Sequence, residues 1–199
     1  MISACAKALT IILMTISVFG YQASEPDNPS HSLPPYPGHL TGAFTGGFGE
    51  ESCHSCHFDY DLNWEDGKLS VSGIPDVVLP QRAYAFIIEV KREDLAKAGF
   101  QMSARYEDGR PAGIFGLSNN DRQMFTDATA DSVQYIQHSA AGTLPVDEDD
   151  FRWTVHWESP DSISGRVIFN IAANASNGDQ SEFGDWIYVQ EFSTSPGNN

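Results

Sequence analysis

Phe151-Arg152-Trp153-Thr154-Val155-His156-Trp157 is the stretch that decides the architecture. Along an extended chain successive side chains point to opposite faces. Phe151, Trp153, Val155 and Trp157 therefore share one side, and Arg152, Thr154 and His156 share the other. That is the period of a half-buried strand. The same alternation recurs on both sides of the stretch: in 69–71, in 84–90 with Tyr84, Phe86, Ile88 and Val90 on one face, and in Phe100, Met102, Ala104 and Tyr106. It continues through a short run at 114–117, then 133–138, 167–173 and 186–192. Seven or eight short strands punctuated by Gly, Pro, Asn and Asp predict an all-β chain folded as an antiparallel β-sandwich over 67–192. The only helical pattern is at 93–98, a turn and a half long.

The chain has 199 residues, 41% of them apolar, which is enough to bury a core. Its 27 acids outnumber its 11 bases, for a formal charge of −16. Such a surface repels nucleic-acid phosphates and anionic lipid head groups, and excludes both as default partners. Glycines and prolines mark turns without forming repeats, which excludes collagen and long coiled coils. Residues 1–20 read as a signal peptide: Lys7, an apolar run over 8–19, and Val18 and Gly20 at −3 and −1 of a cleavage point before Tyr21. The run is shorter than the ~20 residues of a membrane span; the alternative is an uncleaved anchor. Cys5 lies within it. The expected mature protein is exported, to the periplasm or to the cell surface or medium, and does not span the membrane. Residues 21–37 read as a flexible linker, 38–66 as a motif-bearing segment and 193–199 as a tail.

Cys53-His54-Ser55-Cys56-His57 carries the chemistry. It has the Cys-x-x-Cys-His spacing of covalent c-type haem attachment. Two thiols three residues apart on a tight turn can each join one haem vinyl group. The histidine after the second thiol then becomes the proximal iron ligand. Export agrees, since this chemistry takes place outside the bacterial cytoplasm. One covalent haem c is the expected cofactor, with Cys53 and Cys56 as its thioethers and His57 on iron. Three other readings of the same residues stay open: a Cys53–Cys56 disulfide, a zinc site lacking its second ligand pair, and a thioredoxin-like redox pair on a scaffold that does not suit it. His54, between the cysteines, is expected to point away as an exposed bystander.

Gly99-Phe100-Gln101-Met102, Tyr135-Ile136-Gln137-His138, Trp153 through Pro160 and Gly165-Arg166-Val167-Ile168-Phe169 follow the order seen in reelin-type (Reeler) domains. Asn174 through Asp179 and Gly184-Asp185 resemble more narrowly the bacterial relatives called choice-of-anchor V proteins. Several of those also carry a glycine-rich segment and a Cys-x-x-Cys-His motif ahead of the sandwich. The resemblance spans about 38–192 and implies an immunoglobulin-like β-sandwich. It implies no reaction. The segment before the sandwich is too short and too rich in glycine to enclose a haem alone, so the sandwich is expected to form one wall.

The second axial position decides between electron transfer and ligand binding. His138, at a strand end, is preferred for it, then His39 in the glycine-rich segment. For both, structural or solvent-exposed roles are the simpler alternative. His156 is expected to face solvent, Met102 the core, and Met124 a polar loop. Phe44, Phe48, Phe58, Tyr60 and Trp64 lie near the motif and suit either a haem cover or ordinary packing. The acids at 147–150, and Asp179, Glu182 and Asp185, read as solvated loops before calcium sites. No hydrolase arrangement is present. The leading expectation is a monohaem c-type electron carrier with a basic redox partner. The alternatives are a secreted adhesion or interaction module with a Cys53–Cys56 disulfide, and a haem-based ligand sensor.

Overall fold

Ten strands stack in two sheets, with large side chains interdigitating between them. The computed structural model describes residues 42–118, 121–126 and 133–197; the expectations for the signal peptide, the linker and His39 fall outside them. The strands are β1 (Gly67–Ser72), β2 (Val77–Val78), β3 (Ala83–Arg92), β4 (Lys97–Tyr106), β5 (Ile114–Gly116), β6 (Gln123–Phe125), β7 (Tyr135–His138), β8 (Phe151–Glu158), β9 (Val167–Ser176) and β10 (Trp186–Pro196). The smaller sheet has the order β1-β3-β8-β5 and the larger β2-β10-β9-β4-β7-β6. All pairings are antiparallel except the two-residue contact of β2 with β10.

Strand β8 alternates buried and exposed along its whole length, as its sequence requires. Register places Phe86 opposite Val155 and Tyr84 opposite Trp157, so β3 and β8 offer one apolar face. Phe86 and Trp157 meet Phe169 of β9 edge-on, with ring centroids 5.1 and 5.0 Å away, the geometry aromatic quadrupoles favour. The buried indoles are satisfied: Trp153 Nε1 donates to Gly142 O and Trp157 Nε1 to Ala112 O, each at 3.0 Å.

Four sequence expectations change. In place of the helix at 93–98 there is a turn over 93–96 and then the start of β4, because Asp94 has φ +59° and cannot continue a right-handed helix. The tail begins later, since β10 continues through Pro196. Ser193 and Thr194 pair with β9 and Ser195 and Pro196 with β2. Two short strands, β2 and β6, add to those expected from the sequence, and Met124 lies in β6 and not in a loop.

The fourth concerns the face of the larger sheet that points away from the sandwich core. Strand β4 is buried at nearly every position, on both faces. Gln101, Ser103 and Arg105 are its outward residues, and all three are buried. The cover is the segment before β1. Phe44 N donates to Gln101 Oε1 at 2.7 Å. Gly47 lies so close to Asn170 that an added Cβ would fall 2.1 Å from its Cγ. Glu50 meets Arg105 and the Tyr135 hydroxyl. The segment is a third layer on the sheet, so 67–192 is not closed by itself.

Phe169→Ala removes the ring at the junction of the two sheets. The expected cost is about 3–5 kcal/mol of unfolding free energy, read from the urea midpoint at unchanged slope.

Candidate functional site

The Cys53–Ser55 stretch is one turn of 3-10 helix, set by a cap and a loop closure. Ser52 is extended (φ −119°, ψ 176°), and its Oγ accepts from His54 N at 3.3 Å. The amides of Cys56 and His57 both donate to Cys53 O, at 3.3 and 3.1 Å. Just before, Thr45 pairs with Ser52 and Gly46 N donates to Glu51 O at 2.9 Å, closing the glycine-rich loop. Phe48 (φ +53°) and Gly49 (φ +79°) turn that loop. The loop lies close against the sheet, with Gly47 packed on Asn170.

Cys53 and Cys56 are both free thiols, the first half-buried and the second exposed. Burial pushes the Cys53 thiol up to about 12, against the lowering effect of its backbone hydrogen bond. His57 comes next. Its Nδ1 lies 2.9 Å from Asp185 Oδ2, and the side chains are 22% and 1% exposed. The ring N–H points off the line to that oxygen, and Nδ1 is buried with no aligned acceptor. The contact is thus a close pair of imidazole and carboxylate. Asp185 also accepts from Asn174 Nδ2 at 3.1 Å and Asn177 N at 3.2 Å. Burial pushes its carboxyl up, but the nearby His57 imidazole and hydrogen bonds from Asn174 and Ser176 outweigh this and hold it below the usual aspartate value.

His54 is half-buried and not a bystander: its Nε2 lies 2.9 Å from Tyr60 O. The chain after the motif is tied to β10 by two bonds and to the turn before it by a third. Asn63 N donates to Ile187 O (2.9 Å), Val189 N to Asn63 Oδ1 (2.8 Å) and Gly184 N to Asp59 Oδ2 (2.8 Å). Aromatic rings line this edge. Tyr60 stacks on Trp186 at 4.3 Å, and the Arg92 guanidinium lies over the same indole. Phe58 meets Phe183 edge-on at 5.9 Å, and they remain 57% and 49% exposed. Leu62 and Trp64 are exposed too, whereas Phe44 is half-buried.

The His138 ring lies against Gly99 and Phe100 of β4. An added Cβ on Gly99 would fall 2.6 Å from its ring. Gly99 pairs with Asn174, the residue that holds Asp185. His138 Nδ1 lies 3.0 Å from both the N and the O of Phe100, so the backbone serves either tautomer. Met102 is fully buried and His156 is exposed. Residues 147–150 form a tight turn closed by Asp150 N to Asp147 O at 2.9 Å. Among the described residues, no group of three or more His, Cys, Asp or Glu side chains is placed to hold a metal ion.

Asp185 is the site residue that the sequence reading left among solvated loop acids. The signal that could have found it is narrow: an acid flanked by Gly184 and the aromatic Trp186 at a strand start, hence at a buried boundary.

No family model and no curated protein sequence matches the chain. Solved structures do. The Reelin-N domain of F-spondin is similar at 18% identity and a TM-score of 0.48, over 73% of this chain and 97% of that one. The human F-spondin reeler domain gives 18% and 0.47, over 69% and 92%. A cohesin module from a Clostridium perfringens family 33 glycoside hydrolase gives 16% and 0.45, over 67% and 98%.

Two measurements test this geometry. In the protein without cofactor, iodoacetamide at about pH 8 should modify Cys56 at least about tenfold faster than Cys53, because only thiolate reacts and Cys53 is shielded and neutral; peptide masses give the ratio. The second concerns His138, whose pKa burial lowers despite the bond to Phe100. Below about 6.5 the unfolded chain binds this proton more readily than the folded one. The stability that neutral His138 contributes is therefore complete above that pH and is lost as pH falls toward the folded value. His138→Gln should flatten that part of the slope in denaturation series between about pH 7.5 and 5.5.

Proposed function

We propose that this chain is an exported monohaem c-type protein that carries its haem on Cys53 and Cys56, with His57 on iron, and transfers electrons. The observation that carries the reading is the turn itself: two free thiols three residues apart, followed by a histidine whose inner nitrogen faces a fixed carboxylate. The donor set fits the group, since two thiols suit the vinyl positions and an anchored imidazole suits the iron. When bound, the haem supplies a one-electron couple. The chain's own residues hold that group, orient His57 and keep the turn on the sheet. His138, ahead of His39, would be the second protein ligand to iron, because the backbone of Phe100 and the cradle at Gly99 hold its ring. Export rests on residues 1–20; among the described residues no helix is long and apolar enough to cross a membrane. The charge of −16 favours a basic redox partner in brief encounters.

A second reading is a secreted interaction module with a Cys53–Cys56 disulfide. The exposed row of Phe58, Phe183, Leu62 and Trp64 favours it, since such a row beside a folded edge suits a partner protein. Intact mass separates the two. The full-length chain made with a c-type maturation system should gain the mass of one haem and stain for haem after denaturation. Cys53→Ser with Cys56→Ser should abolish both. A mass lower by two hydrogens in place of the haem increment selects the disulfide module. In the haem-loaded protein, His138→Ala should turn a low-spin spectrum toward high spin and admit carbon monoxide. A wild-type spectrum already high spin and open to carbon monoxide points to a ligand sensor.

A further inference from the structure

Beside His57 stands a carboxylate that the attachment motif does not require. Asp185 directly precedes β10, and its side chain is 1% exposed. A buried carboxylate needs donors to offset lost hydration. It has Asn174 Nδ2 at 3.1 Å and Asn177 N at 3.2 Å. Asn174 belongs to β9, between β4 and β10, so the larger sheet positions the carboxylate. Its Oδ2 is 2.9 Å from His57 Nδ1, a buried nitrogen that makes no aligned hydrogen bond among the described residues, so this carboxylate is the acceptor within reach of it.

The chemistry of the pair follows. A neutral imidazole carries its proton on one nitrogen only, and an ionised carboxylate can only accept. A fixed carboxylate against Nδ1 therefore selects the tautomer protonated there and leaves the lone pair on Nε2, which is the form a metal needs. The negative charge also makes the imidazole a stronger donor, which favours the more positive of two oxidation states on any metal it binds.

We propose that Asp185 is the positioning residue of the site: its carboxylate, held by Asn174 and Asn177, sets His57 as the Nδ1-protonated tautomer with Nε2 free, and biases a haem bound there toward its oxidised form. The tautomer half stands on the geometry alone, and the redox half rests on the haem reading above.

The test uses the full-length chain, with and without haem, and three variants. Asp185→Asn keeps the shape and removes the charge. Asp185→Glu keeps the charge. Asp59→Asn loosens the same turn, because Asp59 accepts from Gly184 N at 2.8 Å, without touching His57. Nitrogen-15 NMR of the haem-free chain reads the His57 tautomer, and spectroelectrochemical titration of the loaded chain reads the midpoint potential. Wild type should show the Nδ1-protonated form. Asp185→Asn should lose it while still attaching haem, and should favour reduction about tenfold, about +59 mV for a one-electron couple. Asp185→Glu should restore at least half of that shift, and Asp59→Asn should leave both readouts near wild type. A wild-type His57 protonated on Nε2 overturns the proposal even where Asp185→Asn does not fold. So do an unmoved potential in Asp185→Asn and an equal shift in Asp59→Asn. A wild-type chain that attaches no haem overturns the redox half alone, and the NMR measurement then decides the tautomer half.

Discussion

Arg105 is a cation on an inner strand of the larger sheet, only 7% exposed, and the chain must bring an anion to it. A buried charge left alone costs several kcal/mol, and a paired one is tolerated when its other donors are met. Glu50 and the Tyr135 hydroxyl supply that pairing. Glu50 comes from outside the sandwich, in the segment ahead of the first strand. The requirement at Arg105 thus pulls the glycine-rich loop onto the sheet, and the loop carries the Cys53–His57 turn with it. Phe48, whose ring lies 5.0 Å from the same guanidinium, adds an apolar lid to the pair.

From that docking the rest of the site is placed. Once the loop lies on β4 and β9, the turn after it faces the start of β10, where Asp185 stands between Asn174 and His57. The aromatic edge follows the same line: Tyr60 reaches Trp186 and Phe58 reaches Phe183 because Asp59 and Asn63 tie their backbone to 184–189. The polar contacts fix the path and the rings cover its edge.

What was legible in the sequence was whatever repeats or is locally spaced. The period of two in 151–157 and 84–90 placed the core face correctly, because burial on one side is a local pattern. The Cys53–His57 spacing was visible for the same reason. Two kinds of feature were not. Gln101, Ser103 and Arg105 alternate with the core residues of β4, and the docked loop makes them interior too, which no local period shows. Asp185 read as one acid among several in a polar turn, since its partner is far away in sequence. A helix at 93–98 was suggested by composition, and the need to reverse direction between two paired strands overrode it, with Asp94 taking the left-handed conformation.

The bond from Val189 to Asn63 joins residues 126 positions apart, and that from Gly184 to Asp59 joins residues 125 apart. The motif precedes every described strand, and the strand that holds it follows all the others described. Contacts of such separation form late, after their closure entropy has been met by the rest of the sheet. A chain delivered N-terminus first would present Cys53 and Cys56 long before β10 arrives to lock them in place. During that interval the thiol that ends half-buried is as accessible as its neighbour. Delivery of residues 184–189 is then a clock: until they arrive, any thiol reagent meets both cysteines of this turn in the open.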